Sequence, residues 1–312
     1  MNPLSAIFGA GVAIRNALYD RRVFQVKKLV RPVVSIGNIS VGGSGKTPFV
    51  IALGELLKQH GIAFDVLSRG YGRSSTEIAV VDTNGSPAQF GDEPLLIARK
   101  LQVPVIVGAD RYQAGLLAEQ KFTSKLHLLD DGFQHRRLHR DFDIVLLPAE
   151  DQADSLLPIG RLREPIAALN RADAIVVFEQ PAQALKAKRI WSAQRRVELS
   201  PIGGWPMAFC GIARPEQFFG SLEALGQKIA LTMTFTDHYR YGELDIEDLL
   251  RLKNEICADG FITTEKDFIN LGTLSSQLSP LRTAQLRIEL ESPEQLLMEL
   301  LKTIEERSGQ QI

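Results

Sequence analysis

Apolar residues gather into short, nearly continuous runs at 31–36, 64–67, 103–107, 126–129, Phe142–Leu147 and 174–178. Each run is too apolar for a sheet face open to water, which predicts strands buried on both sides. The stretches between them carry helical spacing, as in 48–59, where Gly61 is the stop signal. Buried strands alternating with helices predict an α/β fold whose mostly parallel sheet is covered by helices on both faces. The pattern breaks at 181–205, rich in Ala, Gln, Lys and Arg and followed by Pro201, Gly203, Gly204 and Pro206, and this reads as a junction. Beyond it, 207–212, 229–235 and 260–263 read as strands of a smaller α/β unit, ahead of a helical C-terminal stretch.

The first residues follow another pattern. Leu4, Ile7, Phe8, Gly11, Ile14 and Leu18 recur at helical spacing, and the segment 3–14 is uncharged. A span of the bilayer takes about 20 apolar residues, so this segment is too short to cross. Its basic residues follow the apolar run, the reverse of a signal peptide. Arg15, Arg21, Arg22, Lys27, Lys28 and Arg31 face only Asp20, a local surplus of five in a chain whose net charge is −1. The pattern alone fits two readings equally: an interfacial membrane helix, or a helix packed on the protein's own core with solvated arginines.

Composition narrows the classes. With 36 basic and 37 acidic residues, a general affinity for nucleic acid is not expected. A content of 45% hydrophobic and 23% charged residues argues against disorder and against a multi-span membrane protein. The two cysteines, Cys210 and Cys257, form no CxxC or Cys/His group, so neither a zinc site nor a disulfide scaffold is expected and a reducing compartment fits best. A length of 312 residues suits two units.

The strongest chemical signal is Val41-Gly42-Gly43-Ser44-Gly45-Lys46-Thr47, placed after a predicted strand and before a predicted helix. Small residues let backbone N–H groups wrap a phosphate, and the helix start adds its dipole. Gly42, Gly43, Ser44 and Gly45 would cradle the phosphates of ATP, Lys46 would reach them, and the Thr47 hydroxyl would ligate Mg²⁺. Ser40 stands where the usual pattern has its first glycine, with Gly42 and Gly43 left to supply the flexibility. The apolar run at 126–129 ends in Asp130 and Asp131, a Walker B arrangement in which one acid holds Mg²⁺ and the other orients a second group. Asp92, in Gly91-Asp92-Glu93-Pro94, reads on pattern alone as a helix cap as readily as a functional acid.

Taken together these strings resemble the tetraacyldisaccharide 4′-kinases, the lipid A 4′-kinases of Gram-negative bacteria. The resemblance is carried by Gly37-Asn38-Ile39-Ser40 running into the glycine loop, Ser68-Arg69-Gly70-Tyr71-Gly72-Arg73, Gly91-Asp92-Glu93-Pro94, Asp130-Asp131-Gly132-Phe133-Gln134-His135, Gly160-Arg161-Leu162-Arg163-Glu164-Pro165, Phe235-Thr236-Asp237-His238-Tyr239 and Thr263-Thr264-Glu265-Lys266-Asp267. It implies transfer of the ATP γ-phosphoryl group to the 4′-hydroxyl of a tetraacylated glucosamine disaccharide 1-phosphate. It further implies a catalytic pair, Asp92 and His238, with Lys46; metal ligands Thr47, Asp130, Asp131 and Glu164; and substrate contacts from Asn38, Arg69, Tyr71, Arg163 and Gln134. The partners implied are the acylated lipid and the cytoplasmic face of the inner membrane, held peripherally, with no obligate protein partner and no nucleic acid. With such a substrate, membrane contact becomes the favoured reading of the first helix.

The expected organisation is then an amphipathic basic segment at 1–30, a P-loop NTPase-like kinase domain at 31–190 and a smaller α/β domain at 191–312 closing over the site. The competing class is a P-loop switch or assembly ATPase driving a protein partner. Such loops place a signature lysine before the two glycines, where this chain has Val41, and Glu265-Lys266-Asp267 has the wrong spacing for a guanine-reading string. A membrane module with a vestigial nucleotide site is a third class, and intact Lys46, Thr47, Asp130 and Asp131 speak against it.

Overall fold

All six apolar runs form strands in the structure, a computed structural model that describes residues 3–178 and 189–312. The chain opens with helix α1 (Pro3–Asp20), then β1 (Val33–Asn38), α2 (Lys46–Gln59), β2 (Phe64–Ser68), β3 (Ala79–Val80), α3 (Pro87–Phe90) and α4 (Asp92–Leu101). It continues through β4 (Val105–Val107), α5 (Arg111–Lys121), β5 (Leu126–Asp130), β6 (Phe142–Leu147) and β7 (Ala174–Val177). Residues 181–188 of the expected junction lie outside the described residues. The rest of the junction holds a long strand, β8 (Ile190–Glu198), which the pattern reading missed. Then come β9 (Met207–Cys210), α6 (Pro215–Ala224), β10 (Leu231–Thr234), α7 (Glu243–Glu255), β11 (Phe261–Thr264), α8 (Glu265–Leu271), β12 (Leu281–Leu290) and α9 (Pro293–Ser308).

The strands run β3-β4-β2-β5-β1-β6-β7-β8-β12-β11-β9-β10. From β4 to β8 neighbours are parallel, and every residue of β1, β2, β5, β6 and β7 is buried, as two covered faces require. β8 joins the halves: Ile190–Ser192 pairs parallel with β7, and Ala193–Glu198 pairs antiparallel with β12. Its Trp191 stacks on Phe142 of β6, ring centroids 5.7 Å apart.

Two expectations change. The C-terminal stretch is not wholly helical, because 281–290 is the strand β12. Nor does the last helix belong to the second unit: Leu296, Leu297, Leu300 and Ile304 of α9 are buried in the first core with Val34, Phe49 and Leu53. Arg307 near the end of α9 clamps Asp173 through both guanidinium nitrogens, at 2.6 and 2.9 Å.

Candidate active site

The glycine loop leaves β1 between β5 and β6 and enters α2. Gly42, Gly43 and Gly45 take φ of 65°, 65° and 89°, which side chains disfavour, so the loop needs glycine there. Asn38, the last residue of β1, holds it from inside: its Nδ2 donates to Ser44 Oγ at 2.8 Å, and its Oδ1 accepts from Lys46 at 3.3 Å and from Arg163. Asn38 is fully buried, so the structure makes it a brace of the loop in place of the expected substrate contact.

Parallel register sets Ile36 of β1 beside Asp130 of β5, bringing both acids next to the loop. They behave differently. Burial, Glu93 and the Asp131 charge push the Asp130 carboxyl up to about 7. Ser68 donates to its Oδ2 at 3.0 Å, while its Oδ1 is buried without a protein partner. For Asp131 burial is outweighed by Lys46, 3.4 Å away, and by Arg163 at 3.0 Å, which hold it well below the usual carboxylate range. Among the described residues no three His, Cys, Asp or Glu side chains form a ready metal cage. Asp130, buried with one oxygen unclaimed beside the loop, fits one Mg²⁺ ligand; a hard cation suits such an oxygen. Glu164 has other partners: Arg171 at 2.9 Å, Asn16 at 2.8 Å and Gln134 at 3.1 Å. Gln134 also donates to the Asn38 carbonyl at 2.8 Å, which makes it a strut between α1 and the loop.

Asp92 opens α4 after Gly91. Its Oδ1 accepts the next residue's N–H at 2.8 Å, a cap-like bond, yet its Oδ2 reaches His238 Nδ1 of the second unit at 2.8 Å. Asn270 of α8 donates to the same oxygen at 3.2 Å. Burial resists ionisation of Asp92, but the His238 bond and Lys266 hold its pKa below normal. The Tyr71 ring lies 4.8 Å from the His238 ring, and Arg240 donates to the Gly72 carbonyl, so the glycine-rich loop after β2 packs on the loop after β10. Glu93, next to Asp92, is close enough to Asp130 to raise it, which ties the pair to the acids at the loop.

The sequence reading missed four further residues at this cleft. Arg111 is buried beside Asp130, Asp131 and the exposed Arg69. Arg195 of β8 donates to the Ser44 carbonyl at 3.1 Å. Arg214 lies against Gly43, where an added Cβ would stand 2.7 Å from its Cγ, and pairs with Asp151 at 2.8 Å. Asp151 in turn accepts from Ser40 Oγ, which explains a serine at the usual glycine position. Only Arg214, just ahead of the helix-opening Pro215, sits where a local cue existed.

Helix α1 docks by its polar edge. Ser5 donates to the Leu156 carbonyl at 2.8 Å, Asn16 to Glu164, and Arg136 to the Asn16 carbonyl and Asp20. Its apolar face points outward, with Leu4, Ile7 and Ile14 58%, 70% and 62% exposed. The packed-core reading predicts the opposite orientation. Among the described residues no helix is long and apolar enough to cross a membrane.

A glycine loop braced on a buried strand, with an acid–histidine pair at the start of the helix that packs beside the loop's own helix, is the arrangement of a P-loop kinase site. The family model for tetraacyldisaccharide-1-P 4′-kinase matches residues 1–305. Tetraacyldisaccharide 4′-kinase of Koribacter versatilis is 51% identical over 99% of this chain and 100% of its own length, and that of Aquifex aeolicus is 40% identical over 86% and 88%. The crystal structure of LpxK from Aquifex aeolicus in complex with ATP matches with a TM-score of 0.81 and 36% identity, covering 97% of this chain and 98% of that one. The chain belongs to the tetraacyldisaccharide 4′-kinase family. Membership disfavours the partner-driving ATPase.

Proposed function

We propose that this kinase transfers the γ-phosphoryl group of ATP to the 4′-hydroxyl of a tetraacyldisaccharide 1-phosphate at an anionic membrane surface, with Asp92 as the base. The observation that carries the reading is the 2.8 Å contact between Asp92 and His238 beside the phosphate loop. The bond from the γ-phosphorus to its bridging oxygen breaks, the 4′-oxygen bonds to phosphorus, and the hydroxyl proton passes to Asp92. Such transfer is largely dissociative, so positioning matters more than base strength, which suits a carboxylate of lowered pKa. The loop N–H groups and Lys46 bind the phosphates, and Arg163 holds Asp131 and Asn38 in place. Thr47 and Asp130 would hold Mg²⁺, which would supply neutralisation of the phosphate charge. Tyr71, 62% exposed beside His238, and Arg69 near Arg111 would meet the sugar and its phosphate.

The outward face of α1 lies on the membrane in this reading. Burying three large aliphatic side chains contributes about 1.5–3 kcal/mol each, and a basic residue near an anionic leaflet about 1 kcal/mol. Micromolar binding takes about 8 kcal/mol, so the two contributions together suffice for a peripheral protein. The test of function is transfer of labelled phosphate from Mg²⁺-ATP to tetraacyldisaccharide 1-phosphate in detergent micelles. Phosphate release without a phosphorylated lipid overturns the reading.

A further inference from the structure

The string Thr263-Thr264-Glu265-Lys266-Asp267 has no part in the steps above. In the structure it is a rigid start to α8. Thr263 Oγ1 donates to the Phe209 carbonyl of β9 at 2.9 Å, and Thr264 Oγ1 accepts the Asp267 N–H at 3.1 Å. Asp267 accepts from the Gly211 N–H at 2.8 Å and from the Tyr241 hydroxyl at 2.9 Å. Thr263 and Asp267 are fully buried, so the helix start is fixed to the sheet beneath it. From that base Glu265 reaches α4 of the first unit and pairs with Lys100. The Lys100 ammonium also donates to Gln285 of β12 at 3.1 Å, so one side chain joins α4, α8 and the strand that leads back to the first unit. Arg287 of β12 feels the Glu265 charge but is held by Glu198 at 2.7 Å.

Asp92 and His238 stand in different units, and their contact needs the second unit seated on α4. Asn270, near the end of α8, meets Asp92 at the start of α4 at 3.2 Å, and Lys266 ties α8 to the His238 loop through Asp237, 2.9 Å away. Lys100 and Glu265 make the opposite pairing, the end of α4 with the start of α8. Lys100 stands about 12 Å along the helix from Asp92, at about 1.5 Å per residue. A single point of contact leaves two helices free to pivot, and two separated points fix the angle between them. We infer that Lys100 is a positioning residue for phosphoryl transfer: its bonds to Glu265 and Gln285 fix the angle of α8 on α4 and so hold His238 against Asp92. This rests on the pair being catalytic, and not on which member takes the proton.

Loss of the clamp acts on rate more than on folding. The Lys100 and Glu265 side chains are 28% and 17% exposed, and ion pairs open to water contribute little to stability. A shift of about 1 Å at a catalytic group, by contrast, can cost about 10²-fold in rate. The phosphate loop is spared, because Arg214 is held beside it by its own pair with Asp151.

The test measures kcat and KM for Mg²⁺-ATP in the micellar assay, with the melting temperature alongside. The full-length enzyme is compared with Lys100→Met, Lys100→Arg, Glu265→Gln and the double variant Lys100→Met/Glu265→Gln. Lys100→Met lowers kcat about tenfold or more, with KM for ATP changed less than about twofold and the melting temperature by less than about 3 °C. Lys100→Arg keeps a cation at the joint and restores most of the rate. Glu265→Gln lowers kcat in the same way, and the double variant is no slower than Lys100→Met alone, because both changes remove one contact. Wild-type kcat in Lys100→Met overturns the inference, and so do losses that multiply in the double variant. Should Lys100→Met fail to fold, Glu265→Gln, which keeps the shape of the side chain, decides in the same assay, and wild-type kcat in it overturns the inference. His238→Ala, assayed in parallel, separates the two claims: full turnover in it removes the pair from catalysis, whereas an inactive His238→Ala with wild-type kcat in Lys100→Met removes the clamp alone.

Discussion

His127 lies fully inside the sheet on β5, with Asp65 2.7 Å from Nδ1 and Glu119 3.5 Å from Nε2. Burial opposes its charge, but the two carboxylates prevail and raise its pKa to about 9. An unfolded histidine titrates near 6.5, so the folded state holds the proton more tightly. The stability gained is fully present below about pH 6.5 and is lost as pH rises through about 9. Denaturant unfolding at pH 6.5, 8 and 9.5 should show that decline, and His127→Gln, already weakened at pH 6.5 by two carboxylates left without a cation, should show little of it. Asp92 makes a different prediction, because it is matched to a reaction and not to folding. Asp92→Asn keeps the cap-like bond to the Glu93 N–H and loses the proton acceptor. Turnover should fall by about 10²-fold or more with ATP binding retained, and Lys46→Ala should fall similarly with ATP binding weakened. Wild-type turnover in Asp92→Asn would reduce Asp92 to a cap.

Among the elements, α1 shows why pattern without orientation is incomplete. Its helical spacing fits a core helix and an interfacial one equally, and only the docking of Ser5 and Asn16 inward shows that the apolar side faces out. Replacing Leu4, Ile7 and Ile14 with Asp should abolish binding to anionic vesicles in sedimentation and leave ATP affinity unchanged; the binding of the unaltered protein should weaken with salt. Retained vesicle binding in that variant sends the search to another surface. The strands split along the same line. β1, β5 and β6 are buried on both faces, so continuous apolar runs announce them. β8 and β12 pair with each other and show one face to water: Gln194, Arg196 and Glu198 alternate with Ala193 and Val197, and the mixture reads as a linker. Arg195 was hidden for the same reason. The glycine loop, Asp130 and Asp131 stand in local motifs that the pattern alone exposes, whereas Asp92 and His238 were paired only through the family resemblance, and Arg111, Arg214 and the strut role of Gln134 depend on contacts far apart in the chain.

Across the whole molecule, the phosphate loop is held from both units, and Ser40 shows how. Its hydroxyl donates to Asp151, Asp151 pairs with Arg214 after β9, and Arg214 lies along Gly43. The Arg214 and Asp151 side chains are 3% and 1% exposed, so the pair is desolvated and neither member is tolerable alone. Arg214→Met should destabilise the protein by about 3–5 kcal/mol, since it strands a buried carboxylate. Adding Asp151→Leu removes that charge, and the double variant should recover most of the lost stability, because a well-packed apolar pair often matches a buried ion pair. ATP affinity should not recover with it: the double variant has lost the Ser40 bond and the guanidinium that seats Gly43, so a loop that folds is still a loop without its brace. Calorimetric titration with Mg²⁺-ATP distinguishes the cases. Wild-type affinity in the double variant would make Arg214 and Asp151 a structural pair alone, whereas weakened affinity at restored stability makes the second unit part of the nucleotide site.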